Sequence, residues 1–335
     1  MIKMMKYGEV PSSEIFARGT AETDVSDIVA DILAEVRQKG DAALFAYAKQ
    51  FDKADLQALE VSEAEIDAAF QKVEPAFIAV LQPAENIRAF HRRQVRNSFV
   101  ITGDGIVTGQ KITPIAKVGL YVPGGTAAYP STVLMDAIPA KIAGCKEICI
   151  TTPALPDGSI NPVILAAAKI AGVDRIFKTG GAQAVAALAY GTQSVPKVDK
   201  IVGPGNAFVA EAKRQVFGLV AIDMIAGPSE ILVIADGKSN AAYVAADMLS
   251  QAEHDKMASA VLVTDSLALA EAVSAELERQ LALLPREEIA RTSIEQNGKI
   301  IVADRLDDVI AVANEIAPEH LELCVDNPFD YLDKI

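Results

Sequence analysis

From Lys117 onward, short runs rich in β-branched residues alternate with helical segments, and this alternation constrains the fold more than any other feature. The apolar runs are KVGLYV, KEICITT, RIFKT, DKIVG, EILVIA, SAVLVT and GKIIVA. Regular alternation of strand and helix predicts an α/β protein whose parallel strands are joined by helical crossovers. A break at Gly227-Pro228 separates two series of runs, so we expect two sheets rather than one continuous sheet.

The preceding part of the chain is more polar and is predicted to be mainly helical. Ser26 is predicted to cap a first helix, and Ser62 with Glu65 to form a capping box that starts another. A longer helix is predicted from Pro75 to about Arg96, with its arginines on a solvated face. The stretch FVITGDGIVTGQKIT alternates and breaks at Gly-Asp-Gly, which predicts a β-hairpin.

These segments together predict an α/β fold of two Rossmann-like parallel-sheet domains, with an N-terminal helical segment and a hairpin. We expect an N-terminal arm over residues 1–20. The first α/β domain is predicted to be discontinuous and to combine 21–120 with 230–335, and the second α/β domain to span 121–229. At roughly 150 residues per domain, the length of 335 residues fits two domains.

The charge balance is acidic, with 31 Lys and Arg against 45 Asp and Glu and a net charge of −14. This argues against an electrostatic nucleic-acid binder, because such proteins need clustered cations to neutralise phosphates. No apolar run approaches the ~18 residues of a membrane span, and the N-terminus lacks the apolar core of a signal peptide. The three cysteines show no disulfide framework and no paired zinc spacing. We therefore expect a cytoplasmic protein without nucleic-acid or membrane partners.

Three glycine-rich loops follow strands and precede helices in the alternating region. They are Pro123-Gly124-Gly125, Gly180-Gly181-Ala182-Gln183 and Gly203-Pro204-Gly205-Asn206. None matches the GxGxxG or P-loop pattern, and each alone is typical of an ordinary tight turn. Three loops at equivalent positions favour a nucleotide or substrate cleft, since ligands of open α/β sheets bind beyond the carboxyl ends of the strands.

Histidine is scarce, with three in the chain, and His254 lies with Gln251 at the predicted end of a helix. The i, i+3 spacing lets both side chains face one point. They could share a metal there, although glutamine is an unusual zinc ligand. A histidine that simply caps the helix end is the alternative.

Glu319 and His320 are adjacent and follow Pro318, which is predicted to end the preceding helix and to bias Ala317 toward extended backbone. Neighbouring side chains of an extended backbone point in opposite directions. The two residues could therefore serve two reacting atoms, one as a general base and the other as a proton acceptor or donor. An exposed polar pair without a function is the alternative. The position of both His254 and His320 at loop–strand junctions favours a shared catalytic site.

Six longer stretches together resemble the histidinol dehydrogenase family, and the likeness covers essentially the whole chain. They are VGLYVPGGTAAYPSTVLMDAIPAKIAGC, GGAQAVAALAYG, VDKIVGPGNAFVAEAKRQV, AIDMIAGPSEILVIAD, MLSQAEHDK and IAPEHLEL. Such long and ordered stretches are far more specific than any single glycine loop. The resemblance implies oxidation of L-histidinol to L-histidine through the aldehyde, with two NAD and one zinc ion, in histidine biosynthesis.

The resemblance also implies roles for individual residues. Gln251 and His254 are implied to be zinc ligands that also touch the substrate, and Ser229 to be a further substrate contact. The implied NAD contacts are Tyr121, Gln183 and Asn206.

The catalytic pair implied by the resemblance is Glu319 and His320. His320 is implied to contact the substrate and to accept its hydroxyl proton as hydride leaves. Glu319 is implied to activate the water that hydrates the aldehyde. A bound aldehyde that never leaves would protect a reactive intermediate.

The sequence departs from the family at its C-terminal end. The family continues beyond the equivalent of Ile335 and there supplies an Asp and a second His to the zinc, plus a Glu to the substrate, partly from the partner subunit. The resemblance therefore implies a homodimer for the full-length enzyme. It also implies that a chain ending here is truncated, holds two of the four zinc ligands and is inactive alone.

Two other functions remain open on the sequence. One is a thiol-dependent aldehyde dehydrogenase with Cys324 or Cys145 as nucleophile, although neither flank shows the activating environment that a catalytic cysteine needs. The other is a non-enzymatic fragment that keeps the fold and binds NAD or a partner without turnover. Inactivation by iodoacetamide with protection by NAD would favour the first, and histidinol-dependent NADH formation would exclude the second.

Overall fold

The computed structural model describes residues 1–18, 24–81, 84–124 and 129–335. The chain divides into two compact units. The first unit combines Met1–Glu22 with Gly227–Ile335, and the second unit is Thr23–Ala226. Within the described ranges, no helix is both long and apolar enough to cross a membrane.

The secondary structure follows the predicted alternation. The strands are β1 (Lys3–Lys6), β2 (Phe99–Gly103), β3 (Ile106–Gln110), β4 (Lys117–Tyr121), β5 (Glu147–Thr152), β6 (Arg175–Lys178), β7 (Lys200–Val202), β8 (Ala221–Ile222), β9 (Glu230–Ala235), β10 (Ser259–Thr264), β11 (Lys299–Val302) and β12 (His320–Cys324). The α-helices are α1 (Ser12–Ile15), α2 (Ser26–Lys39), α3 (Asp41–Tyr47), α4 (Glu63–Lys72), α5 (Pro75–Leu81), α6 (Ala84–His91), α7 (Pro130–Ala143), α8 (Pro162–Ala171), α9 (Gly181–Tyr190), α10 (Ala207–Val216), α11 (Ala241–Ala252), α12 (Leu267–Leu281), α13 (Glu287–Gln296) and α14 (Leu306–Ile316). A π-helical turn spans Ala48–Asp52, and 3-10 helices span Arg92–Gln94 and Pro328–Lys334.

The second unit is built on a five-stranded parallel sheet with the order β6-β5-β4-β7-β8. The chain enters at the central strand β4, winds outward to β6 and then returns to the other side of β4 with β7. This order places a topological switch point between the carboxyl ends of β4 and β7. The strands β4, β5 and β6 are buried on both faces, because α2, α9 and α10 cover one face and α7 and α8 cover the other.

The first unit has its own five-stranded parallel sheet, with the order β1-β11-β10-β9-β12. Helices α11, α12 and α13 pack on one face of this sheet, and α1 and α14 pack on the other. The prediction of an α/β fold with two parallel sheets is thus confirmed.

The predicted grouping of the domains differs from the two units. The helical segment 24–96 belongs to the second unit, because the apolar face of α2 with Val29 and Val36 is buried against α9 and α10. Residues 1–18 join the first unit instead, where β1 pairs with β11 and α1 covers the sheet. Hydrophobic periodicity shows that a helix has a buried face without showing which element covers it.

The predictions for single elements are confirmed in part. The hairpin forms from β2 and β3, and the capping box at the start of α4 is present. The prediction that Ser26 caps α2 is wrong: it is the first helical residue, and its N–H and hydroxyl donate to Oδ1 of Asp24 at 3.0 and 2.6 Å. In the stretch where one helix is predicted over 75–96, the described residues form α5, α6 and the 3-10 turn Arg92–Gln94, and residues 82–83 lie outside the described residues.

Candidate functional site

Two strand ends of the second unit approach each other closely at the switch point. Gly203 follows β7 with a φ of +118°, and a Cβ at this position would clash with the carbonyl oxygen of Tyr121, the last residue of β4. Glycine therefore permits both the backbone conformation and the close approach.

Pro153, which follows β5, packs between the other two glycine loops. A Cβ at Gly180 would lie 2.7 Å from the Cβ of Pro153, and a Cβ at Gly124 would clash with the same ring. Gly125, at the end of the first predicted loop, lies outside the described residues. The loops after β4, β5 and β6 thus form one closely packed edge at the carboxyl ends of the strands.

The three residues predicted to bind NAD differ in exposure. Tyr121 is buried, its hydroxyl accepts the N–H of Gly181 at 3.1 Å, and burial raises the pKa of its phenol. Gln183 is also buried, with its amide oxygen against Gly181 at the start of α9. Asn206 is exposed, and its Oδ1 accepts two N–H groups of the first turn of α10 at 3.1 and 3.2 Å. Tyr121 and Gln183 therefore shape the loop, whereas Asn206 is open to solvent.

The candidate residues of the first unit lie at the amino ends of its strands, whereas the glycine loops of the second unit lie at the carboxyl ends. Ser229 precedes β9, Glu319 precedes β12, and His320 is the first residue of β12. Gln251 lies in the last turn of α11 and His254 just after it. Because α11 connects two parallel strands, its C-terminal end returns to the amino edge of the sheet. The candidate residues of this unit thus gather where its strands begin, in contrast to the general rule for open α/β sheets.

The backbone of Glu230 holds both members of the predicted catalytic pair. Nδ1 of His320 lies 3.0 Å from the carbonyl oxygen of Glu230, and the N–H of Glu230 donates to Oε2 of Glu319 at 3.4 Å. Nδ1 and Oε2 lie 3.6 Å apart. A carbonyl can only accept, so Nδ1 carries the hydrogen of the neutral ring and Nε2 keeps its lone pair. In the neutral ring, this contact leaves Nε2 of His320 as the nitrogen that can accept a proton.

The expectation of an extended backbone before this pair is wrong. Ala317 adopts the left-handed region with φ 46° and ψ 67°, because its N–H closes the end of α14 on Ala313. The guanidinium of Arg18 donates to the carbonyl oxygen of Ala317 at 3.2 Å and lies 3.7 Å from the carboxylate of Glu230. The resulting turn brings the Glu319 and His320 side chains to the same backbone group rather than pointing them apart.

A polar face of β12 runs beside α11. His320, Glu322 and Cys324 alternate along the strand and share one face; Cys324 packs with the core on the α11 side, whereas the intervening leucines pack on the α14 side. Ligand atoms of Asp247, Glu322 and Cys324 lie within 4.8 Å of one another. Burial and then the charge of Asp247 raise the pKa of the Glu322 carboxyl.

The contact between Asp247 and Glu322 fixes where the predicted metal ligand Gln251 lies along the strand direction relative to His320. Gln251 follows Asp247 by one helical turn, or about 6 Å along the axis. His320 precedes Glu322 by two strand residues, or about 7 Å. Both steps run toward the amino edge of the sheet, so Gln251 and His320 lie at about the same height. We did not predict Asp247 and Glu322 from the sequence. Asp247 precedes Gln251 by four residues of a helix, and Glu322 follows His320 by two residues of a strand. Both spacings place the residues of a pair on one face, which was a usable signal.

The residues at this edge fit a zinc ion chemically. The His254 side chain is exposed, and within the described ranges neither its ring nor the Gln251 amide is engaged in a hydrogen bond. An imidazole nitrogen and an amide oxygen are donors that zinc accepts, the amide less commonly. These two residues could therefore hold a metal near His320.

The cysteines do not match a thiolate nucleophile. Burial raises the pKa of the Cys324 thiol, and the carboxyls of Glu322, Asp247 and Asp236 raise it further. Burial likewise raises the pKa of Cys145. A catalytic cysteine needs the opposite environment, in which a nearby positive charge stabilises the thiolate. This geometry disfavours the thiol-dependent alternative.

Two doubly wound sheets, glycine-lined strand ends and a histidine poised as proton acceptor beside a carboxylate define an α/β enzyme with acid–base chemistry. The family model for histidinol dehydrogenase matches residues 17–335, and the chain belongs to this family. Histidinol dehydrogenase of Halalkalibacterium halodurans is 57% identical over 309 residues, which are 92% of this chain and 73% of the relative. That of Geobacter metallireducens is 55% identical over 96% of this chain and 75% of the relative. The crystal structure of histidinol dehydrogenase from Elizabethkingia anophelis matches with a TM-score of 0.95 and 41% identity, over 100% of this chain and 78% of that one.

Proposed function

We propose that this protein is an oxidoreductase of histidine biosynthesis that converts L-histidinol into L-histidine through L-histidinaldehyde. Membership of the histidinol dehydrogenase family supports this function. The observation that carries the chemistry is the contact between Nδ1 of His320 and the carbonyl of Glu230, since it leaves Nε2 as the proton acceptor.

The alcohol step needs a base for the substrate hydroxyl. Nε2 of His320 accepts this proton while NAD, when bound, takes the hydride. The ring then carries a positive charge, which the Glu230 carbonyl at Nδ1 and the Glu319 carboxylate 3.6 Å away stabilise.

The aldehyde step needs a water oxygen. The Glu319 carboxylate is partly exposed and is oriented by the N–H of Glu230, so it can accept a proton from water that adds to the aldehyde carbon. After its ring has released the first proton to solvent, His320 accepts a hydroxyl proton of the hydrate, and a second oxidised NAD would accept the hydride, which gives the acid.

We assign Gln251 and His254 to the zinc and Ser229 to the substrate. A zinc ion held by these two residues would supply Lewis-acid chemistry that orients the substrate. Ser229 is partly buried at the same edge, where its carbonyl oxygen accepts the N–H of Ser259 at 2.9 Å. NAD is assigned to the edge formed by Tyr121, Gln183 and Asn206.

We further propose that the enzyme is a cytoplasmic homodimer. The hairpin of β2 and β3 supports self-association, because it is exposed along its whole length and carries large apolar side chains. These side chains are Phe99, Val100, Ile101, Ile106 and Val107, each 51–71% exposed. A two-stranded hairpin is only marginally stable in water, and exposed apolar patches mark protein contacts.

Calorimetric titration with histidinol tests this function. It measures substrate binding and its dependence on zinc separately from hydride transfer. We expect binding that requires added zinc and is lost in His254→Ala, with His91→Ala as the matched histidine control. Histidinol-dependent NADH formation is measured on the same samples. Histidinol binding that is indifferent to both zinc and His254 would contradict the proposal.

A further inference from the structure

The second unit contains a buried lysine whose ion pair the reaction described above does not use. Lys213, on α10, is 2% exposed, and its ammonium pairs with the carboxylate of Asp223, just after β8. Lysine is almost never fully buried, because removing an ammonium from water is costly. The Asp223 side chain is 29% exposed, so only the ammonium is buried. An apolar side chain in place of a buried charge often serves stability as well, so stability alone does not explain the lysine.

Both partners bind the backbone of the same glycine. Nζ of Lys213 donates to the carbonyl oxygen of Gly203 at 3.0 Å, and the N–H of Gly203 donates to Oδ2 of Asp223 at 2.8 Å. The α-carbon of Gly203 is pressed against the carbonyl oxygen of Tyr121, where even a Cβ would not fit. Gly203 is therefore fixed on three sides, and its φ of +118° is held by charge-assisted bonds.

The fixed glycine begins the loop at the switch point. Gly203 is followed by Pro204, Gly205 and Asn206, and Asn206 caps α10 through two hydrogen bonds. Lys213 lies two turns further along the same helix. Both ends of the loop therefore bind α10: Gly203 accepts a hydrogen bond from Lys213, and Asn206 caps the first turn of the helix.

We propose that Lys213 and Asp223 are positioning residues that set the Gly203–Asn206 loop in the conformation that receives the dinucleotide. This inference rests on the proposed use of NAD at this edge. Placement of a binding loop matters because displacement by about 1 Å through a remote substitution can reduce function by up to ~10²-fold. A pair that only stabilised the unit would leave NAD affinity of the folded protein unchanged.

The test removes the two charges together, so that no buried charge is left without a partner. Lys213→Met with Asp223→Asn keeps the side-chain volumes and an acceptor for the Gly203 N–H, but removes the donor to its carbonyl. Lys213→Arg is the conservative variant. Arg175→Met is the control, because Arg175 forms a two-point ion pair with Glu60 at the start of β6, away from this loop.

Two readouts separate positioning from stability. NAD affinity is measured by calorimetry, and hydrogen exchange of the Gly203 amide is measured by NMR against the global unfolding rate. For the double variant we expect NAD binding weakened about tenfold or more and Gly203 exchange at least ~10-fold faster at unchanged global exchange. Lys213→Arg should recover part of both effects. Arg175→Met should change neither.

Specific results would overturn the inference. NAD affinity within about twofold of the parent in the folded double variant would leave the pair as a stabilising element only. Unchanged protection of Gly203 would show that the pair does not hold the loop. If the unsubstituted protein bound no NAD, the cofactor assignment would fail. The Gly203 exchange rates would still decide whether Lys213 and Asp223 hold the loop.

Discussion

Proton transfer at His320 depends on which ring nitrogen carries the hydrogen. Asparagine can keep a hydrogen bond to the Glu230 carbonyl but has no basic nitrogen, so His320→Asn removes the proton acceptor from both oxidation steps. We expect each step to slow by about 10²–10⁴-fold. NADH formation from histidinol and from histidinaldehyde measures the two steps separately. A loss confined to one step would contradict the assigned role.

The role proposed for Glu319 is narrower than that of His320, because only the aldehyde step consumes water. We expect Glu319→Gln to slow oxidation of the aldehyde by about 10²-fold or more and to affect the alcohol step less. The matched control is Glu315→Gln, an exposed glutamate of α14. Equal losses in both steps for Glu319→Gln would refute the division of labour between the two residues.

A buried carboxyl beside the Lys213–Asp223 pair gives a pH-dependent stability. Burial, with the charge of Asp223, raises the pKa of Asp136 to about 7, and its Oδ2 has no hydrogen-bond partner in the described parts of the chain. The folded protein therefore holds this proton more tightly than the unfolded chain, and the free energy of unfolding falls as pH rises from about 4 to 7.

Asp136→Asn mimics the protonated acid at every pH. We expect a variant of near-parent stability at pH 3, where the parent carboxyl is protonated in both the folded and the unfolded protein. At pH 8 the variant should be more stable than the parent by about 4 kcal/mol before solvent screening, at ~1.4 kcal/mol per pKa unit for a shift from 3.8 to about 7. Urea unfolding at the two pH values measures the difference. Equal effects at both pH values would rule out ionisation of Asp136 as the cause.

Several candidate site residues were proposed from the sequence, and the predictions that failed did so for local reasons. Glu319, His320, Gln251 and His254 stood out by residue type and spacing. The turn at Ala317 could not be predicted, because the closing hydrogen bond of α14 and the contact with Arg18 outweigh the preference of a residue before proline. Long-range partners such as Arg18 carry no signal in local spacing.

At the level of elements, strands such as β4, β5, β9 and β10 were predictable because they are buried on both faces and read as continuous β-branched runs. The four-residue edge strand β1 has the exposed, lysine-flanked sequence KMMK, which gives no such run. Its pairing with β11, almost three hundred residues later, depends on tertiary contacts alone. The same reason explains why α2 was not assigned to its unit.

The exposed hairpin makes a prediction at this scale. Val100 and Val107 are 69% and 71% exposed on the two strands, and we expect Val100→Asp with Val107→Asp to weaken the proposed homodimer at least ~10-fold by placing charge in an apolar contact. Sedimentation equilibrium measures the dissociation constant. Leu283→Asp, equally exposed at 71% but outside the hairpin, is the control. A double variant that dimerises like the parent would remove the hairpin from the interface.

For the whole molecule, the two sheets have separate hydrophobic cores. The first unit is built around residues such as Leu262 on β10, and the second around residues such as Leu120 on β4, both almost completely buried. Each core is covered by helices of its own unit on both faces of its sheet. Units with separate cores can unfold in separate steps, which breaks the two-state approximation.

Core truncation in each unit tests this separation. A Leu→Ala change in a well-packed core costs about 2–5 kcal/mol, so we expect Leu262→Ala and Leu120→Ala each to lower one calorimetric transition by roughly 5–15 °C. The affected transition should differ between the two variants, because neither cavity lies in the core of the other unit. A single transition that both substitutions shift equally would show that the units unfold together, and their separate cores would then not be separate cooperative units.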